Sequence, residues 1–229
     1  MISAPVSEIY SSVQGEGPFT GQRQVFVRLA GCPLRCRYCD TPGSLVGRGH
    51  PRKSVDDVLA EVVKLRRRSK ASTVSVTGGE PLLHASFLAA LLPLLKKHKF
   101  KTYLETAGIH PAALSKLIRC IDVVSMDVKL PSAIGRAAWS EHAAFLKAGG
   151  GKIYVKIVIE KKSTLSEIKK AVSLLLATKP LLVLQPVTPI EGQVQGPSSK
   201  LLADAYAWAA ARLPNVLVMP QQHKIWDVR

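Results

Sequence analysis

Cys32, Cys36 and Cys39 lie in one short run, Gly31-Cys32-Pro33-Leu34-Arg35-Cys36-Arg37-Tyr38-Cys39-Asp40, with C-x3-C-x2-C spacing. The only other cysteine, Cys120, is far along the chain. Structural zinc and most cysteine-bound clusters take four protein ligands. Three thiolates leave one coordination position open. On a cubane iron, that position can bind a small molecule and react with it. A zinc ribbon needs two C-x2-C pairs, and here Cys36 and Cys39 form one; a degenerate zinc knuckle is the plainer alternative. A second constellation is Thr77-Gly78-Gly79-Glu80-Pro81. Its glycines let backbone approach a ligand closely, and its carbonyls and the Glu80 carboxylate can accept hydrogen bonds from an ammonium group. Taken alone, it reads as an ordinary strand-to-helix turn.

Together the two constellations resemble the radical S-adenosylmethionine (SAM) superfamily. The resemblance implies one [4Fe–4S] cluster on Cys32, Cys36 and Cys39, with the remaining iron chelating the amino and carboxylate groups of SAM. One electron then cleaves the sulfonium and yields a 5′-deoxyadenosyl radical. By the same resemblance Tyr38, between two ligands, lies beside the adenine, with Asp40 close by. Gly78, Gly79 and Glu80 take the amino group. Ser125, Asp127 and Lys129, at a strand end, meet the methionine carboxylate or ribose. Gln185, Pro186, Val187 and Thr188 contact the adenosine. A buried salt bridge is the competing reading of Asp127.

The N-terminal stretch narrows the family. Ser11-Ser12-Val13-Gln14-Gly15-Glu16-Gly17 precedes a strand that carries Arg28, and Asp40-Thr41 follows Cys39. S-x-Q-G-E-G, a strand arginine and C-x3-C-x-Y-C-D-T resemble the 7-carboxy-7-deazaguanine synthase family. So does Pro220-Gln221-Gln222-His223-Lys224, and the likeness runs from Ile9 to the end. It implies ring contraction of 6-carboxy-5,6,7,8-tetrahydropterin to 7-carboxy-7-deazaguanine with loss of ammonia, on the path to queuosine and other 7-deazapurines. SAM would be regenerated, and Mg2+ would sit on Thr41, a hard cation with a hard oxygen ligand. Val13, Gln14, Gly15, Glu16, Arg28, Thr77 and His223 would bind the substrate. A Gln14 amide beside a Glu16 carboxylate can match the donor and acceptor pattern of a pterin edge, and the planar fork of Arg28 suits a carboxylate. Many family members carry Ser-Pro-Lys where this chain has Ser125-Met126-Asp127-Val128-Lys129, so which of these residues meets SAM stays open. Glycyl-radical activating enzymes share the cysteine spacing but give no reason for Q-G-E-G or C-D-T. One spare thiol cannot hold an auxiliary cluster. A zinc-containing, basic RNA-binding module is the reading from a different class.

These residues must be positioned by alternating strands and helices. Strands are expected over 25–30, 73–77, 101–105, 121–128, 152–159, 181–185 and 216–218, and helices over 54–68, 82–98, 111–118, 137–147, 164–177 and 198–213. Ser54 with Asp57, and Thr164 with Glu167, open two of the helices as capping boxes. Six β/α units plus an extra strand imply α/β architecture, a parallel sheet with helices outside. A full eight-unit barrel takes about 250 residues, so six units give a partial, open (β/α)6 barrel of the radical SAM type. The whole chain, 1–229, reads as a single domain. Ligands sit at the carboxyl ends of strands in such sheets, and the cysteine loop, Gly78-Gly79, Glu105-Thr106, Asp127 to Lys129 and Gln185-Pro186 all fall there.

The chain has 229 residues, 47% of them hydrophobic, enough to bury a sizeable core. The first residues show no signal-peptide pattern, and the longest apolar run, Ala85 to Leu95, is about half a membrane span. A cytoplasmic protein in a reducing compartment is expected. The net charge of +16 raises the question of nucleic acid. Its Lys and Arg, however, gather at predicted helix ends without interleaved aromatics for base stacking. The expected partners are therefore the small pterin and an acidic, flavodoxin-like electron donor drawn by the positive surface, with no nucleic acid or membrane, and a homodimer as the assembly. His84, His98, His110 and His142 read as core or surface residues, and Cys120 as a buried thiol.

Overall fold

The computed structural model describes residues 2–228. One sheet runs through the molecule, built from β1 (Ser3–Val13), β2 (Arg23–Leu29), β3 (Arg52–Ser54), β4 (Thr73–Gly78), β5 (Lys101–Thr106), β6 (Val123–Asp127), β7 (Ile153–Ile159), β8 (Leu182–Pro186) and β9 (Val216–Val218). The spatial order is β3-β1-β2-β4-β5-β6-β7-β8-β9. From β2 to β9, every neighbouring pair is parallel. The sheet does not close on itself, since β3 and β9 remain as edges; this is the expected open barrel. The helices are α1 (Val55–Ser69), α2 (Ala85–Lys97), α3 (Pro111–Leu117), α4 (Pro131–Ile134), α5 (Trp139–Gly149), α6 (Leu165–Leu174), α7 (Ser199–Ala210) and α8 (Gln222–Ile225).

Strand periodicity divides the two faces. Val27, Val76, Leu104, Met126, Val155 and Leu184 belong to the main hydrophobic core, together with Val58, Val62, Leu88, Leu91 and Leu95 from α1 and α2. Their neighbours Arg28, Thr77, Glu105, Asp127, Lys156 and Gln185 point the other way and line a cavity. Side chains alternate across a strand, so an apolar outer face and a polar inner face read as one buried run per strand. Lower in the barrel the inner face turns apolar and aromatic: Tyr103, Val123, Tyr154 and Val183 cluster with Phe19.

Both capping boxes are present. Ser54 Oγ accepts from Asp57 N at 3.2 Å and Ser54 N donates to Asp57 Oδ2 at 3.1 Å; Thr164 and Glu167 repeat the arrangement. Such caps satisfy helix N–H groups that would otherwise lack partners. The structure departs from the expected elements in several places. The stretch before residue 14 is a strand, β1, antiparallel to β2 from Val6↔Leu29 to Val13↔Arg23. Its Ser, Glu and Pro content hides it, and its partners supply the order. β3, three polar residues long, forms by pairing with β1. The helix expected over 82–98 divides into a 3-10 turn, Pro81–His84, and α2. Finally, α4 and α8 are four-residue helices too short to show periodicity. Cys120, expected to be buried, is half-buried beside the core. Among the described residues, no helix is long and apolar enough to cross a membrane.

Candidate active site

β2 ends at Leu29 and delivers the chain into the cysteine loop. The loop is held by its own backbone: Gly31 N donates to Ser44 O at 2.8 Å, Cys32 N to Leu45 O at 3.0 Å and Cys39 N to Cys36 O at 3.1 Å. Arg35 donates to Cys32 O at 2.8 Å. Gly78 and Gly79 press directly on this loop. A Cβ on Gly78 would lie 2.0 Å from Leu29 O, and one on Gly79 2.4 Å from Gly31 O. The close approach that these glycines permit is thus to the cysteine loop itself, and Glu80 N donates to Gly31 O at 2.8 Å.

The three thiols open onto one cavity of about 510 Å³, shared with Tyr38, Asp40, Thr41, Gly78 and Gly79. They suit a multi-iron cluster. A tetrahedral zinc with bonds of about 2.3 Å would bring its sulfurs to about 3.8 Å of one another. Among the described residues, the set of three Cys, His, Asp or Glu ligand atoms within 4.8 Å of one another is Glu16, Asp40 and His223, not the cysteines. At least one pair of the thiol sulfurs is therefore more than 4.8 Å apart, wider than the ligands of a single zinc, and among the described residues no histidine or acid forms a set of that tightness with two of the thiols. Burial pushes the Cys32 and Cys36 thiols above their usual range, so loading the site must release protons.

Four of the residues assigned to SAM lie off the cavity wall. Glu80 is fully buried, and its carboxylate accepts from Leu82 N at 3.0 Å, Thr106 Oγ1 at 2.8 Å and Ala107 N at 2.8 Å. It ties β4 to the end of β5, and burial raises its pKa despite those bonds. Ser125 is buried, and neither it nor Pro186 nor Thr188 is among the cavity's lining. Gln185 and Val187 do line it; Val187 packs with Tyr38, Val158 and Val194. Asp127 and Lys129 bond to each other at 2.8 Å, and Lys129 Nζ stands 5.2 Å from the Tyr38 ring centroid. In Asp127, burial raises the carboxyl, but Lys129 and Lys156 outweigh it and hold it below the usual range.

Every residue assigned to the substrate lines the same cavity: Val13, Gln14, Gly15, Glu16, Arg28, Thr77 and His223. Gln14 Nε2 donates to Glu105 Oε1 at 2.8 Å. Glu16 accepts from Lys156 Nζ and, at 2.8 Å, from Gln221 Nε2. Burial pushes Glu16 up, and Lys156 brings it below the ordinary carboxylate range. Arg28 donates to Glu8 at 3.3 Å and to Tyr10 at 2.8 Å. The C-terminal segment closes the wall: Gln222 N donates to Gly15 O at 2.9 Å, and a Cβ on Gly15 would lie 2.3 Å from the His223 ring. Gly17, at φ +64°, packs equally tightly on Tyr154. Q-G-E-G is therefore an ordered floor rather than a mobile loop.

Glu105, Lys156 and Gln221 were not among the expected site residues. Lys156 had a signal, being the one charge inside an otherwise apolar strand. Glu105, next to last in β5, lines the cavity at the ligand-bearing strand ends. Gln221 lies in the C-terminal motif but has no chemistry of its own until it meets Glu16 and Asp40, at 2.8 and 3.2 Å.

Buried His142 supports the wall from behind, donating Nε2–H to the Ala107 carbonyl at 3.2 Å. Burial pushes its pKa down to about 4. The unfolded chain, with a histidine near 6.5, takes up a proton first, so stability should fall as pH drops from about 6.5 towards 4. From pH 7 to 5 this group alone should cost about 2 kcal/mol. Denaturant titration of His142→Gln should show that much less acid sensitivity than the parent; equal pH slopes would refute it.

Residues 27–179 match the model of the Radical SAM superfamily. The chain is 36% identical to a 7-carboxy-7-deazaguanine synthase of Geobacter sulfurreducens, over 96% of each chain. It is 30% identical to the protein of that name from Methanocaldococcus jannaschii, over 96% of this chain and 98% of the relative. Among solved structures, QueE from Escherichia coli superposes with a TM-score of 0.65 at 25% identity, covering 97% of this chain and 96% of that one. Thiol spacing, a shared cavity and near full-length similarity agree: this chain belongs to the 7-carboxy-7-deazaguanine synthase family of the radical SAM superfamily.

Proposed function

We propose that this chain performs the reaction its relatives are named for: ring contraction of 6-carboxy-5,6,7,8-tetrahydropterin to 7-carboxy-7-deazaguanine, with release of ammonia, for 7-deazapurine synthesis. The observation that carries this reading is the single cavity on which the cysteine loop, Gly78-Gly79, Q-G-E-G, Arg28 and His223 all open. SAM on the cluster supplies the hydrogen-abstracting radical. The chain's own residues bind and orient. Gln14 and Glu16 read the pterin edge, Arg28 takes the carboxylate or ring oxygen, and Thr77 and His223 complete the enclosure. Tyr38, Asp127, Lys129, Gln185 and Val187 hold SAM. The electron donor is acidic and flavodoxin-like, the assembly a homodimer and the compartment the cytoplasm; the net charge of +16 supports the first of these.

Mg2+ belongs to the same reading. Thr41 lines the cavity, and its Oγ1 lies 3.9 Å from Cys39 Sγ. Mg2+ keeps several waters and takes few protein ligands, so one hydroxyl with a substrate carboxylate is sufficient. The test is anaerobic reconstitution followed by incubation with SAM, dithionite, Mg2+ and the carboxytetrahydropterin. Product should form, fall on exhaustive chelation and return with Mg2+. Thr41→Ala should lower turnover or apparent metal affinity at unchanged cluster content, and Thr41→Ser should be milder because the oxygen remains. A protein that holds about four irons yet leaves the pterin untouched would defeat the assignment. Equal product from parent and Thr41→Ala at limiting Mg2+ would take the metal away from this residue.

A further inference from the structure

Lys156 is a cavity residue without a role so far. β7 is buried along its whole length and is apolar or aromatic at every other position. The lysine side chain is 6% exposed. An ammonium there is costly unless its partners compensate. Those partners come from two separate elements. Glu16, from the loop after β1, bonds to Nζ on one side. Asp127, at the end of β6, stands 3.2 Å away on the other. Asp127 also bonds Lys129, which lies over the ring of Tyr38 between two cysteine ligands. Glu16, Lys156, Asp127 and Lys129 thus form a row of alternating charge from the Q-G-E-G floor to the cysteine loop.

We propose that Lys156 is a positioning residue that couples the two ligand sites, so that occupancy at the SAM end sets the geometry of Glu16 at the substrate end. The inference rests on the substrate assignment made above. A ligand that engages Lys129 or Asp127 changes the charge facing Lys156, and Lys156 can then share its protons differently with Glu16. The coupling must be reciprocal, as between any two linked binding sites.

The test is calorimetric titration of reconstituted, unreduced protein with the carboxytetrahydropterin, with and without SAM, so that no turnover occurs. In the parent, SAM should tighten substrate binding by at least about fivefold. In Lys156→Gln that ratio should fall to about one at unchanged cluster content, and in Lys156→Arg it should be intermediate. During turnover, Lys156→Gln should release more free 5′-deoxyadenosine per product, a readout that simple loss of fold would not raise. A parental ratio of one, or an unchanged ratio in Lys156→Gln, overturns the coupling. If Lys156→Gln fails to load a cluster, Lys156→Arg decides, and a parental ratio there overturns it too. A parent that neither binds nor converts the pterin defeats the substrate assignment instead, so the two failures are distinct.

Discussion

Cys32→Ala, Cys36→Ala and Cys39→Ala should each abolish the broad absorbance at about 400 nm and the reduced-cluster signal of the reconstituted protein, while Cys120→Ala should leave both intact. The expectation is all-or-none because three thiolates are the complete protein ligand set. The other cysteine, Cys120, sits beside the main core, away from the cavity, and Glu16 and His223 group with Asp40 rather than with the thiols. The three alanine variants should still fold, because the loop is pinned by Gly31, Cys32, Cys39 and Arg37 backbone hydrogen bonds that need no metal. Adding SAM should change the reduced signal of the parent and of Cys120→Ala. A normal cluster in all three loop variants would refute the assignment.

Arg28→Ala should weaken substrate binding by roughly 2–5 kcal/mol, the range for removing one member of a buried, hydrogen-bonded charge pair. The side chain is 17% exposed and is tied to Glu8 and Tyr10. Tyr10 stacks on Phe26 with ring centroids 5.2 Å apart, so the guanidinium is fixed before any ligand arrives. A fixed fork binds a carboxylate with little loss of freedom. Removing it also leaves Glu8 facing an incoming anion. Arg28→Lys should recover part of the affinity at most, since a point charge cannot reproduce the fork. SAM binding and iron content should survive in both variants. Substrate affinity unchanged by calorimetry in Arg28→Ala would make Arg28 a structural residue and displace the pterin from this end of the cavity.

Much of this site is legible before any fold is known, for a local reason. Cluster ligation, glycine at a tight approach and helix capping depend on residues a few positions apart. C-x3-C-x2-C, Gly78-Gly79 and the Ser54 and Thr164 caps therefore appear in the sequence and reappear in the structure. The six repeated β/α units are legible for the same reason, because each carries its own apolar periodicity.

What depends on distant partners is not legible in this way. β1 takes its order from pairing with β2, and β3 from pairing with β1, so polar sequences become strands by hydrogen bonding across the fold. Glu80 has the right neighbours for a ligand, yet Thr106 and Ala107, brought in by β5, take up its carboxylate. Lys156 and Glu16 are 140 positions apart, and Gln221 and Glu16 are 205 apart. A buried charge needs a compensating partner wherever the fold can supply one. By itself, then, the sequence determined which chemistry the chain carries: three thiolates with an open iron position, and a family motif to read a substrate. The tertiary structure alone decided which charges meet inside the cavity, because the cost of burying a charge is met by neighbours in space rather than in sequence.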